Sequence, residues 1–365
     1  MRLAPIASGL PATVPFVGPE AQERALGRPF AARLGANESP FGPSPAALAA
    51  MRSAAAEAWM YGDPESHDLR AALARRHGVP QEAIVAGSGI DGLLGTLVRL
   101  LVGPGDPVVT SDGAYPTFGY HVAGFGGALH RVPFDGDRED TGALVACARK
   151  TGAPLVYLSN PDNPMGTWHP AATIAAMLDA LPQGCVLCLD EAYADLAPPE
   201  AIPPLDPSDA RVIRMRTFSK AHGLAGLRVG YAIGHPDLIA AFDRVRDHFG
   251  LSRVAQAAAL AALGDDGWLA EVRGRIERAR EAIAAIAWEN GLAPIPSATN
   301  FVAIDCGRDG DFAGRVVRAL GARGVFVRMP GAAPLDRCIR VSCGTDADMD
   351  AFREALPGAL REAVA

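Results

Sequence analysis

The stretch RTFSKAHGLAGLRVGY, Arg216 to Tyr231, carries one of only two lysines in the chain, Lys220; the other is Lys150, although Lys and Arg together number 34. Positive charge elsewhere is supplied by arginine, so position 220 reads as a place that needs an amine. A lysine amine in a dry pocket has a lowered pKa and forms an imine with an aldehyde, which a guanidinium cannot do. Lys150 has an ordinary reading: it ends a helix at ARKTG, where a cation suits the dipole.

Working outward, apolar β-branched runs alternate with amphipathic helices on both sides of this stretch. AIVAG, PVVTSD, ALHRVPF, PLVYLSN, CVLCLDEAY and RVIRMRTF read as strands. Helices are expected from DGLLGTLVRLLV, from about Pro116, over 139–150 and over 170–181. The pattern predicts an α/β fold with a mostly parallel sheet covered by helices on both faces. Ser66 is the expected cap of a helix that ends at Gly78. After about residue 236 the rhythm changes to long helices over 236–263 and 268–290. Short strands follow at TNFVAIDCG, GVFVRMP and CIRVSCG, then a last helix at TDADMDAF with Thr345 and Asp348 as a capping-box variant. We expect an N-terminal arm over 1–30, a large domain over 31–240 and a smaller α+β domain over 241–365.

Composition bounds the function. The 365 residues carry a net charge of −7, which leaves no basic face for nucleic acid. The six cysteines show no zinc spacing; Cys185 and Cys188 sit in an apolar strand and read as free buried thiols, which suits a reducing cytoplasm. MRLAPIASGLPATVPF has no sustained apolar core before its prolines, which argues against a signal peptide, and no apolar run is long enough to span a membrane.

Three more features bear chemistry. GSGIDG, Gly87 to Gly92, follows a strand and opens a helix. It fits a dinucleotide fingerprint literally, and physically it offers bare amides to an anion, most often phosphate. SNPDNPMG, Ser159 to Gly166, holds a loop at the C-terminal edge of a strand, where Asn163 can present its amide. LDEAYADL places Asp190 where an apolar strand ends and Tyr193 just beyond; a carboxylate there is costly unless partnered. Taken alone, each also has a bland reading: a tight turn, a bare loop, a capping aspartate.

Joined with Lys220, these features specify pyridoxal 5′-phosphate. Its phosphate takes the Gly89–Ile90–Asp91 turn, Thr217, Ser219 and Arg228. Its ring nitrogen takes a buried carboxylate, Asp190. Its phenolic oxygen takes donors from Asn163 and Tyr193, and its ring face takes Phe118 or Tyr115 from AYPTFGY. A nicotinamide dinucleotide accounts for the glycines and leaves Lys220, Asp190 and Asn163 unused.

The order and spacing of ANESPFGPSP, YGDPESHDLR, GSGIDG, YPTFGY, NPDNPMG, DEAY, TFSKAHGLAGLRVGY and IRVSCGT resemble the fold-type I aminotransferases, in particular the histidinol-phosphate aminotransferase branch, over nearly the whole chain. The resemblance implies that Lys220 is the Schiff-base lysine, that Asp190 pairs with the ring nitrogen and that Arg228 binds cofactor phosphate. It implies that Tyr61 reaches the cofactor phosphate of a second subunit in a homodimer. Arg340 would clamp the substrate carboxylate or its equivalent, with Arg328, Asn37, Asn163 and Phe16 around the substrate. The family pattern has Asn-Glu-Asn-Pro where Asn37-Glu38-Ser39-Pro40 stands, a tyrosine at Phe118, Thr at Met165 and Pro-Tyr at Pro15-Phe16. Arg328 matches the second substrate arginine, so one of two phosphate-recognition marks is kept. The expected reaction is transamination between an amino acid or similar amine, of histidinol-phosphate or aromatic type, and a 2-oxo acid such as 2-oxoglutarate. A lyase that decarboxylates phosphorylated amino acids on the same scaffold is the alternative. A non-catalytic ligand-binding module is disfavoured by the presence of Lys220.

Overall fold

The computed structural model describes residues 2–11 and 16–364. Its centre is a seven-stranded sheet. In chain order the strands are β1 (Ile84–Gly87), β2 (Pro107–Ser111), β3 (Ala128–Val132), β4 (Leu155–Ser159), β5 (Val186–Asp190), β6 (Val212–Thr217) and β7 (Gly230–Gly234). The spatial order is β1-β7-β6-β5-β4-β2-β3. β7 runs antiparallel to both of its neighbours, β1 and β6, and the other pairings are parallel. The expected mostly parallel sheet is therefore present, with one reversed strand.

Both faces of the central strands are buried, which explains their near-continuous apolar runs, whereas the edge strand β3 is mostly exposed. Val108, Leu155, Tyr157, Cys188, Ile213 and Met215 pack on one face against the helices Gly89–Leu101 and Pro116–Gly124. Val109, Val156, Leu158, Leu187 and Leu189 pack on the other against Thr141–Thr151 and Ala171–Ala180. Cys185 and Cys188 are buried and free.

The second core joins the chain's two ends. Ala32–Arg33 pairs in parallel with Val325–Phe326, and a three-stranded antiparallel sheet forms from Ala293–Pro294, Phe301–Asp305 and Cys338–Ser342. Ala32 and Leu34 share one apolar cluster with Ile276, Ile283, Val316 and Phe352 from three later helices. The helix Arg253–Leu263 does not join it; Ala255, Ala258 and Ala259 pack with Leu69 and Leu73 beside the large sheet. We propose a division between the lobes near residue 265, with 32–34 assigned to the small lobe, in place of the expected cut at 240/241.

Several local expectations change. The stretch 236–263 is not one helix: Pro236–Ala241 ends in a 3₁₀ turn, and a new helix starts at Arg253, where Ser252 accepts from the Ala255 amide. The intervening loop follows from Gly250 and this new cap. Ser66 gives no side-chain cap. Asp63 does that work, accepting from the amides of Glu65 and His67 at 3.0 and 2.8 Å. GVFVRMP contributes only Val325–Phe326 as a strand. The Thr345–Asp348 box forms, with the Thr345 amide donating to Asp348 at 2.8 Å and the Asp348 amide to Thr345 at 3.4 Å. Among the described residues no helix is long and apolar enough to cross a membrane.

Candidate active site

The C-terminal ends of β2, β4, β5 and β6 open into one cavity of about 370 Å³. This edge is where ligands sit in open α/β sheets. Because β7 is reversed, its entry residue Arg228 and the exit of β1 at Gly89 reach the same edge. The lining brings together Ile90, Asp91, Tyr115, Asn163, Asp190, Tyr193, Thr217, Ser219, Lys220 and Arg228, all named in the sequence reading, and adds the polar side chains of Glu38 and Ser159.

One end of the cavity gathers donors and a cation. The helix Gly89–Leu101 has no side-chain cap, because the Ser88 hydroxyl donates to the Gly250 carbonyl at 3.1 Å. Gly89 has φ of +73°, and a Cβ there would lie 2.6 Å from Arg228 Nη2. Arg228 itself is left-handed at φ 55°, a strained state for a non-glycine residue that holds its guanidinium over the turn. The guanidinium reaches Ser219 Oγ at 3.4 Å and only loosely pairs with Asp91 at 3.6 Å. The Thr217 and Ser219 hydroxyls lie 2.9 Å apart. Amides, hydroxyls and a cation converge on this corner.

The other end holds the amine. Lys220 Nζ donates to the main-chain carbonyl of Asn37 at 3.0 Å. Loss of water around it, with Arg340 and Arg228 nearby, pushes the amine down from 10.5 to about 8. Asn37 is left-handed at φ 54°, which asparagine tolerates, and its side chain donates to Tyr193 Oη at 3.1 Å. Burial pushes the Tyr193 phenol up, so it stays protonated.

Asp190 is buried. The Tyr157 hydroxyl donates to its Oδ2 at 2.7 Å and the Ala192 amide to its Oδ1 at 2.9 Å. Burial pushes this carboxyl up to about 6, against both donors. Tyr157 was not among the expected residues; a tyrosine inside an aliphatic strand, whose hydroxyl must find a partner, was the available signal.

Several expected residues do not line this cavity. Phe118 is fully buried and stacks on Tyr157, with ring centroids 4.6 Å apart, so it does not line the cavity. Tyr115 lines it, its hydroxyl donating to Asp91 at 3.0 Å; the helix that begins at Pro116 turns Phe118 inward. Tyr61 is exposed and packs on Phe249 at 4.8 Å, away from this cavity. Arg340 lies just behind the wall: Nη1 donates to Asn163 Oδ1 at 2.6 Å and Nη2 to the Gly35 carbonyl at 3.3 Å, while Nε is buried without a partner among the described residues. Arg328 donates to the Val17 carbonyl at 3.0 Å and lies over the Phe16 ring at 5.6 Å. Pro15, beside Phe16, lies outside the described residues.

The chain matches the family described as aminotransferase class I and II over residues 32–356. It belongs to that family. A histidinol-phosphate aminotransferase from Mesorhizobium japonicum is 37% identical over 332 residues, covering 89% of each chain. Another from Gluconacetobacter diazotrophicus is 38% identical over 329 residues, covering 89% of this chain and 90% of its own. A crystal structure of histidinol-phosphate aminotransferase from Sinorhizobium meliloti, in complex with pyridoxal-5′-phosphate, superposes with a TM-score of 0.95 at 54% identity, covering 99% of this chain and 98% of that one. The expectation of a fold-type I aminotransferase is borne out, and such relatives do not favour the lyase alternative.

Proposed function

We propose that this aminotransferase uses pyridoxal 5′-phosphate to move an amino group from histidinol phosphate, or a closely similar amine, to a 2-oxo acid such as 2-oxoglutarate. The observation that carries this reading is a single cavity holding a lysine amine with a depressed pKa, a buried carboxylate and an uncapped helix start facing a guanidinium. The residues fit the cofactor: Gly89 has no side chain where an added Cβ would strike Arg228, which leaves the close approach a phosphate needs. The amides of Ile90 and Asp91, the hydroxyls of Thr217 and Ser219, and Arg228 would hold that phosphate. Asp190 would hold the ring nitrogen, Asn163 and Tyr193 the phenolic oxygen, and Tyr115 the ring face. When bound, the group supplies an aldehyde for amine exchange and a ring that accepts an electron pair.

The chain's own residues do the rest. Lys220 Nζ would take the proton from the substrate Cα and deliver it to the carbon that carried the cofactor's aldehyde, as base and then acid. Arg340, with an unpartnered buried Nε, would meet the substrate's polar group beside the amine. Arg328, above Phe16, would meet a more distant anion. We assign the enzyme to the cytoplasm as a homodimer. The exposed Trp59, Tyr61 and Phe249 support a face for a second copy, with Tyr61 reaching the cofactor phosphate of that copy.

The test is an absorbance screen of half-reactions with histidinol phosphate, histidine, phenylalanine, tyrosine and small polar amino acids. Histidinol phosphate is expected to convert the cofactor bands fastest, and slow or absent conversion with it overturns the substrate assignment. Lys220→Ala is expected to fold and to lose roughly 10³-fold or more in turnover. Retained turnover in that variant overturns the role of the amine.

A further inference from the structure

Tyr157 sits in β4, where Leu155–Ser159 is wholly buried and a plain aliphatic residue would serve packing. Its hydroxyl has one partner, Asp190 Oδ2, at 2.7 Å. The register explains the reach. Tyr157 lies opposite Cys188 and Ser159 opposite Asp190, so Tyr157 is the diagonal neighbour of Asp190 on the same face. Phe118 stacks on the far side of the tyrosine ring with an interplanar angle of 19°. Tyr157 therefore has its ring fixed from one side and its hydroxyl fixed from the other.

We propose that Tyr157 is a positioning residue of this site: its hydroxyl, with the ring braced by Phe118, holds the Asp190 carboxylate in the orientation and charge state that the cofactor's ring nitrogen requires. This rests on the functional reading above. Each carboxylate oxygen accepts one internal donor, Tyr157 at Oδ2 and the Ala192 amide at Oδ1. A carboxylate oxygen has two acceptor sites, so each keeps one for a ligand in the cavity that Asp190 lines. Tyr157 cannot reverse its role, because burial and the neighbouring carboxylate push its phenol up and keep it a donor. The other ionisable groups acting on Asp190 are Asp91, which raises it, and Lys220, which lowers it, with Glu139, Cys188, Tyr115 and Tyr193 also in its field. Among the described residues Tyr157 is the one ionisable group that donates a hydrogen bond to the carboxylate. A carboxylate that loses such a donor becomes harder to ionise.

The sign fixes the test. A pyridinium binds the ionised carboxylate, so cofactor affinity falls as pH drops through the Asp190 pKa of the cofactor-free protein. Tyr157→Phe keeps the ring and the stack and removes only the donor. Titration of apoenzyme with pyridoxal phosphate from about pH 5 to pH 8, followed by fluorescence quenching, is expected to show the acid limb moved up by about one pH unit, the size a charged hydrogen bond gives. Turnover of the loaded variant is expected to fall roughly tenfold with KM for the amino donor nearly unchanged. Phe118→Leu keeps the hydroxyl and loosens the ring, and a smaller move in the same direction is expected. An acid limb at the wild-type position in both variants overturns the proposal. A pH-independent loss of affinity also overturns it, since that is what a merely structural role would give. Should Tyr157→Phe not fold, Phe118→Leu decides alone. Failure of the unmodified apoenzyme to bind pyridoxal phosphate would instead overturn the functional reading itself.

Discussion

Asp190 and Glu191 are consecutive, both buried, and electrostatically opposite. Asp190 turns into the cavity, meets only neutral donors and is pushed up to about 6. Glu191 turns to the other face, where Arg214 binds both of its oxygens and Arg216 donates to Oε2 at 2.9 Å, and it is held below the ordinary carboxylate range although burial opposes this. Arg214 and Arg216 are two apart on β6 and so share a face. Arg214 also donates to the carbonyls of Pro203 and Pro204 at 2.8 and 3.0 Å, pinning the chain that leaves the site. Equal burial thus gives opposite charge preferences. A carboxylate given its cations by the fold is structural. One left with neutral donors is available to a partner that arrives later.

Glu191→Ala tests the structural half of this contrast most severely. It leaves two buried guanidiniums without their anion, and a loss of about 3–5 kcal/mol in unfolding free energy is expected in urea melts. A loss under about 1 kcal/mol would break the contrast. Asp190→Asn tests the other half. Turnover should fall roughly 10²–10³-fold, while stability of the apoenzyme at neutral pH should not fall, since a carboxylate disfavoured by burial has been removed. Asp190→Asn should also remove one source of pH dependence. A carboxyl raised from 3.8 to about 6 binds its proton more tightly when folded, so its contribution to stability declines as pH rises through that window. The wild-type apoenzyme should lose up to about 3 kcal/mol relative to Asp190→Asn between about pH 4 and pH 6. Parallel curves for the two proteins would show that Asp190 ionises freely in the fold.

The large sheet was legible because both its faces are buried and its strands are therefore short apolar runs. The polar lining of the cavity was legible because Lys220, Asp190 and Asn163, like the Gly89 turn beside them, each sit at a strand's C-terminal edge, where residue type alone carries chemical meaning. Non-local contacts were not legible. The placing of Phe118 behind Tyr115 depends on how the helix at Pro116 docks, and the pairing of Tyr157 with Asp190 depends on the register of β4 against β5. The union of residues 32–34 with the C-terminal strands joins positions nearly three hundred apart and leaves no mark in local composition. The break at 245–252 was hidden because both flanking segments favour helix and only Gly250 and Ser252 punctuate them.

The carbonyl of Asn37 accepts from Lys220 Nζ and also, at 3.0 Å, from Asn300 Nδ2, while the Ser342 hydroxyl donates to Asn37 Oδ1 at 3.1 Å. One peptide oxygen therefore ties the Lys220 amine to the strand region 300–342. Displacing that strand region relative to Lys220 would break a contact at this shared acceptor, so the hydrogen bond of the amine and the seating of the strands are mechanically linked.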